Sequence, residues 1–195
     1  AYDSPMMNGS IRLFRLLRFT VFLHWSWFII AVFMLQSRQG QYSSIAWNIA
    51  EYLALFAIVL THEFGHALAC RSVGGKAERI MLWPLGGVAF VSPPPRAGAY
   101  LWSIVAGPLV NVILLFPTFL LCSRLGIQPF TLEYHAPNNL YAFIDSLTQI
   151  NLVLLIFNLL PIYPLDGGQI VRGLLWFLIG QSKSLMTAAI IGMIG

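Results

Sequence analysis

Thr61-His62-Glu63-Phe64-Gly65-His66-Ala67-Leu68-Ala69-Cys70 follows Ile45 to Leu60, a stretch that is apolar but for Asn48 and Glu51. On a helix the four-residue spacing of His62 and His66 puts both imidazoles on one face. Two neutral imidazoles one turn apart can share a single zinc ion, and Glu63 beside them can take a proton from a water that the metal activates. Two histidines and a glutamate at membrane depth cost free energy unless something compensates. A metal ion compensates.

The whole chain shares this apolar character. Of 195 residues, 58% are hydrophobic and 9% charged, whereas soluble domains carry about 25% charged residues. The composition predicts an all-α polytopic membrane protein with the lipid bilayer as its solvent. A net charge of +4, scattered along the chain, excludes a nucleic-acid partner and reads as a set of topology signals. Residues 1–10 read as a tag or a disordered lead, and 11–195 as one transmembrane domain. The apolar ending after Met186 predicts that the natural chain continues.

About six transmembrane helices are expected, near residues 19–35, 45–70, 99–121, 140–160, 169–180 and 185–195, the last cut short. As a helix, Ile45 to Cys70 is about 39 Å long, and His62 and His66 lie about 6 to 12 Å from its end. Gly74-Gly75, Gly86-Gly87 and Pro93-Pro94-Pro95 rule out a long helix after Ser72. Residues 78–92 are expected as a small membrane-associated β-hairpin or re-entrant loop beside the site, since irregular backbone survives at that depth only against protein or a wet cavity.

Arg12, Arg15, Arg18, Arg71, Lys76, Arg79, Arg96 and Arg172 fall on one side of this topology, and Arg38, Arg124 and Lys183 on the other. The excess makes the amino terminus cytoplasmic and brings the metal site toward the cytoplasmic face. Cys70 and Cys122 then lie at opposite faces and form no disulfide.

A hydrolytic zinc site takes three protein ligands and keeps one position open for water. Asp166, in Pro161-Ile162-Tyr163-Pro164-Leu165-Asp166-Gly167-Gly168, follows a broken helix that ends on the same side as His66. Its carboxylate, with one hydroxide, neutralises a divalent ion between two imidazoles. Ordinary Asp-Gly turn chemistry is the competing reading.

His62-Glu63-Phe64-Gly65-His66 together with Asn158 to Gly168 resembles the site-2 protease family of intramembrane zinc metalloproteases. The resemblance runs over most of Arg12 to Gly180. It implies a three-helix catalytic core built from the second to fourth spans. His62, His66 and Asp166 hold one zinc ion, and Glu63 serves as general base. It implies that Asn158 meets the substrate or the developing oxyanion, with an interhelical hydrogen bond as the alternative. Asn111, in Ala106-Gly107-Pro108-Leu109-Val110-Asn111, matches a third family motif and is expected near the substrate, although helix packing explains it as well.

The implied reaction is peptide hydrolysis in or near the membrane-spanning helix of a single-span membrane protein, as in regulated intramembrane proteolysis. Such a helix must first unwind. The strand through Gly86, Gly87 and Val88 is expected to take the unwound segment by β-augmentation. A membrane zinc transporter and a catalytically idle helix-binding scaffold are the alternatives; a homo-oligomer or a regulatory membrane partner stays open. His24 is expected to be helix-bonded near the interface, Glu51 to snorkel or pair, and His135 with Glu133 to be solvated.

Overall fold

The computed structural model describes residues 9–38, 40–83, 86–130 and 138–194. The first expected span is not one helix. Phe19, Val21 and Leu23 alternate with Thr20, Phe22 and His24, and this period of two prevails over the span-length apolar run. Ser10–Leu16 forms β1 and Phe19–His24 forms β2, paired antiparallel through a two-residue turn in which Leu17 and Arg18 both have positive φ. Of the expected lead, residues 1–8 lie outside the described residues, and Ser10 already belongs to β1.

Only Ser26–Ser37 (α1) remains helical in that region. Its 12 residues reach about 18 Å, short of the roughly 30 Å hydrocarbon core. Ile45–Ser72 (α2) then carries the histidines. Lys76–Trp83 (β3) and Gly86–Ser92 (β4) form the expected hairpin, paired antiparallel.

The hairpin does not stand alone. β3 also runs parallel to β2, giving a four-stranded sheet of order β1-β2-β3-β4, so the all-α expectation is corrected to helices plus a small sheet. Phe19, Val21, Leu23, Ile80 and Leu82 bury one face of this sheet with Val59, Ala67 and Cys70 of α2. Phe64, inside the His-Glu-x-x-His stretch, meets the Phe19 ring edge-on at 5.5 Å. The sheet is thereby packed against the turn of α2 that carries the site.

Ala97–Leu125 (α3) and Asn139–Leu159 (α4) complete the long helices, followed by Asp166–Ile179 (α5) and Gln181–Ile194 (α6). Among the described residues three helices, α2, α3 and α4, are long and apolar enough to cross a membrane. Of the other three expected spans, the first gives Phe19–His24 to β2, and α5 and α6, 14 residues each, divide at Gly180, which adopts positive φ. Cys70 and Cys122 are both free.

Glu51 is buried and pairs with Arg38 at 3.3 Å. His24 ends a strand and not a helix; it bonds Ser26 Oγ at 2.5 Å and stacks on Trp83 at 4.3 Å. Glu133 and His135 lie outside the described residues.

Candidate metal centre

The site is assembled where α2, α3 and the start of α5 meet. Helical spacing aligns His62 and His66, and two glycines let α3 approach. A Cβ on Gly65 would strike the Ala106 carbonyl, and one on Gly107 would strike Nε2 of both histidines. Beyond α4 the chain turns through Pro161 to Leu165 and enters α5 directly at Asp166. Gly167 and Gly168 lie so close to the backbone of 159–163 that neither has room for a side chain. Asp166 stands in the first turn of α5, where the helix dipole favours a carboxylate.

Nε2 of His62 and Nε2 of His66 are 3.0 Å apart, and Oδ2 of Asp166 lies 3.0 Å from the first and 3.2 Å from the second. All three residues are buried. Their hydrogen bonds determine which atoms carry protons. The backbone carbonyl of Asn111 can only accept, so Asn151 donates to it from Nδ2 at 3.0 Å. Asn151 Oδ1 therefore accepts from Asn111 Nδ2 at 2.7 Å. Asn111 Oδ1 is left to accept from His62 Nδ1 at 2.5 Å. On the other ring, His66 Nδ1 donates to the Ser103 carbonyl at 2.9 Å.

With both Nδ1 atoms protonated, each neutral imidazole presents a bare lone pair at Nε2. The two lone pairs converge on Asp166 Oδ2, a buried oxygen with no hydrogen bond of its own among the described residues. Three acceptors in contact repel one another unless a cation sits among them. A tetrahedral zinc ion about 2.0–2.1 Å from its ligands would space them by about 3.3 Å, close to the separations observed. The donor set of two imidazoles and one carboxylate, each imidazole held by a partner behind it, suits zinc.

Glu63 also offers a carboxylate, within 4.8 Å of the two histidines. Asp166 is closer to both, so His62, His66 and Asp166 form the tighter set and Glu63 stands one step outside it. Glu63 is buried, lies against β4 at Gly87 and Ala89, and opens on a 380 Å³ cavity that the two histidines and Asp166 also line.

Alternate β4 residues Gly87, Ala89 and Val91 form one wall of that cavity, and Asn158 lines it as well. Among the described residues no hydrogen bond holds the Asn158 amide, so the interhelical bond weighed against its substrate role is not formed. Gly86 pairs with Trp83; Val88 pairs with Met81 along the backbone, and its side chain lies outside the described residues. Asn111 departs from its expected place: it is wholly buried behind His62, with its amide spent on His62 and Asn151. Sequence reasoning missed Asn151 and Ser103, and named Gly107 only as part of the motif around Asn111. The available signal was Asn151 itself, a polar side chain within the apolar run of α4.

Comparison with known proteins shows the family of the chain. The model of peptidase family M50 matches residues 50–134 and 125–195. A zinc metalloprotease of Methanocaldococcus jannaschii is 35% identical over 186 residues, covering 95% of this chain and 51% of that protein. Stage IV sporulation protein FB of Bacillus subtilis is 36% identical over 124 residues, covering 61% of this chain and 38% of that protein. The solved site-2 protease from Methanocaldococcus jannaschii superimposes with a TM-score of 0.65 at 33% identity, over 94% of this chain and 79% of that one. The chain spans about half the length of the first relative. It belongs to peptidase family M50 and shares the site-2 protease fold.

Proposed function

We propose that this chain is the catalytic part of an intramembrane zinc protease that hydrolyses a peptide bond in or near the membrane-spanning helix of a single-span protein. The observation that carries the reading is the convergence of three unprotonated donors, His62 Nε2, His66 Nε2 and Asp166 Oδ2, beside a second carboxylate, Glu63, that stands outside the set and can handle protons. Those three residues would hold one zinc ion, which would supply Lewis acidity to a water and to a substrate carbonyl.

The chain's own groups do the rest. Glu63, outside the ligand set and open to the cavity, accepts a proton from the attacking water and returns it to the amine of the broken C–N bond. Water adds its oxygen to the carbonyl carbon, the C–N bond breaks, and both water protons end on the departing nitrogen, giving a carboxylate and an ammonium with no covalent link to the enzyme. Asn158 can donate its amide hydrogen to the carbonyl oxygen as negative charge develops.

A transmembrane helix shields its amides by bonding them internally and must be opened before hydrolysis. β4 pairs only with β3 among the described strands, so its second edge is available, and its Gly87-Ala89-Val91 face lines the cavity. An unwound segment added along β4 would have its backbone hydrogen bonds met while one carbonyl approaches Glu63 and the donors. The distribution of Lys and Arg supports an amino terminus and site nearer the cytoplasmic face.

The test is cleavage of a panel of single-span helices by the purified chain in detergent. Wild type is expected to cut at least one helix at a single region, and Glu63→Gln to lose cleavage while keeping its metal. Full activity in Glu63→Gln would remove the general base from the mechanism.

A further inference from the structure

At the end of α2 away from its first turn, the sheet and the helix enclose a second cavity, 680 Å³ in volume, lined by Arg15, Arg18, Arg71, Lys76 and Arg79 with Glu78 as its one carboxylate. Five cations against one anion is a local excess equal to the net +4 of the whole chain, so the remaining residues balance to zero. A rule about which side of a membrane carries basic residues accounts for their side. It does not account for five of them around one cavity.

Arg71 builds the floor. Its guanidinium lies 3.5 Å from the centre of the Phe19 ring and donates to the carbonyls of Leu17, Arg18 and Ala77. It thereby ties the β1–β2 turn and the start of β3 to the last turn of α2. Arg15, Arg18 and Lys76 stand around this floor, and among the described residues none of the three has an ion-pair partner. All three are exposed, so water screens their mutual repulsion in part, and an anion seated among them would lower it further.

The rim has the opposite character. Ile11, Leu13, Phe14, Leu16 and Leu17 are 38 to 61% exposed and interleave with Arg12, Arg15 and Arg18 on β1 and its turn. Because Arg71 terminates a membrane-spanning helix, the cavity lies at the level where that helix leaves the hydrocarbon, with the apolar side chains of β1 beside it. A cationic hollow bordered by exposed apolar side chains at an interface matches a ligand with a phosphate head and hydrocarbon tails.

We propose that this cavity binds the headgroup of an anionic phospholipid from the leaflet at the α2 carboxyl end, with Arg15, Arg18, Lys76 and Arg71 on the phosphate and Leu16 and Leu17 among the acyl chains. A water-soluble phosphate would satisfy the cations and leave the apolar rim without a role. The occupant sits against the β1–β2 turn and the start of β3, whose Ala77 pairs with Val91 of β4; none of its proposed cationic contacts lines the metal-site cavity, and the proposal stands independently of the protease reading.

Thermal unfolding of the purified chain in neutral detergent, titrated with phosphatidylglycerol, phosphatidylcholine or inorganic phosphate, tests it. Phosphatidylglycerol is expected to raise Tm saturably and the other two to leave it unchanged. The triple variant Arg15→Gln/Arg18→Gln/Lys76→Gln is expected to lose the rise while matching wild type in phosphatidylcholine. Arg124→Gln/Lys183→Gln, remote from the cavity, is expected to retain it. Should the triple variant not purify, Lys76→Gln alone is expected to raise the half-saturating phosphatidylglycerol concentration about fivefold. An equal rise with phosphatidylcholine, or an undiminished response in the variants, would overturn the site. An equal rise with inorganic phosphate would replace the lipid by a soluble anion.

Discussion

Asn151 on α4 and Asn111 on α3 bond each other twice: Asn151 Nδ2 donates to the Asn111 carbonyl at 3.0 Å, and Asn111 Nδ2 donates to Asn151 Oδ1 at 2.7 Å. The pair leaves Asn111 Oδ1 able only to accept, which holds the proton of His62 on Nδ1. Groups behind a metal-binding histidine set its orientation and donor strength. Asn151→Leu is therefore expected to weaken zinc affinity about tenfold, and Asn111→Leu by about 10- to 100-fold, measured by chelator competition. Unchanged affinity in both variants would reduce the pair to helix packing.

Gly107 faces the donors with its α-carbon. A methyl group there would meet Nε2 of both histidines, whereas a methyl group at Gly98 would come no nearer than 3.9 Å to its neighbour, Phe177 Cζ. Gly107→Ala is expected to abolish stoichiometric zinc binding with the helical circular dichroism spectrum retained, and Gly98→Ala to change neither. Zinc content equal to wild type in Gly107→Ala would show that α3 can withdraw at little cost.

Arg38 and Glu51 form the ion pair at the other end of α2, with Glu51 almost wholly buried and Arg38 37% exposed. Arg38→Ala leaves a carboxylate without its partner and is expected to cost about 2 kcal/mol, below the range for fully buried pairs because one partner is partly solvated. The double variant Arg38→Ala/Glu51→Gln is expected to recover most of that loss. Thermal unfolding of the single and double variants measures the coupling, and strict additivity would show that there is none.

Ala89 stands in the β4 wall near Glu63. Ala89→Asp puts a second carboxylate where the substrate strand is proposed to lie, and is expected to slow cleavage at least about tenfold with zinc retained, a loss of roughly 1.4 kcal/mol in transition-state binding. A charge on the exposed Glu78 position, Glu78→Lys, is expected to be harmless to cleavage. Normal cleavage by Ala89→Asp would remove β4 from substrate binding.

The three donors that the structure brings together were legible for local reasons: a helix brings His62 and His66 together by spacing alone, and Asp166 is a rare acidic residue next to a broken helix. The backing residues were not. Asn111 and Asn151 lie on different helices, and nothing in either segment names the other. The β1–β2 hairpin was hidden for two reasons. Its turn is Leu17-Arg18, without the Asn-Gly or Asp-Gly that ordinarily marks positive φ, and the alternation of Phe19, Val21 and Leu23 sits within an apolar run long enough to pass for a span. The parallel pairing of β2 with β3 joins strands separated by α1 and α2, a relationship that only tertiary packing establishes.

The most direct test of the metal centre is zinc K-edge absorption spectroscopy of the purified chain, with metal content measured for wild type and Asp166→Ala. One zinc per chain, in a shell of two imidazoles and oxygen with no sulfur, lost or weakened by at least about tenfold in Asp166→Ala, is the expected result. A shell with thiolate or a single imidazole, or full zinc affinity without Asp166, would contradict the assignment of His62, His66 and Asp166 as the ligands.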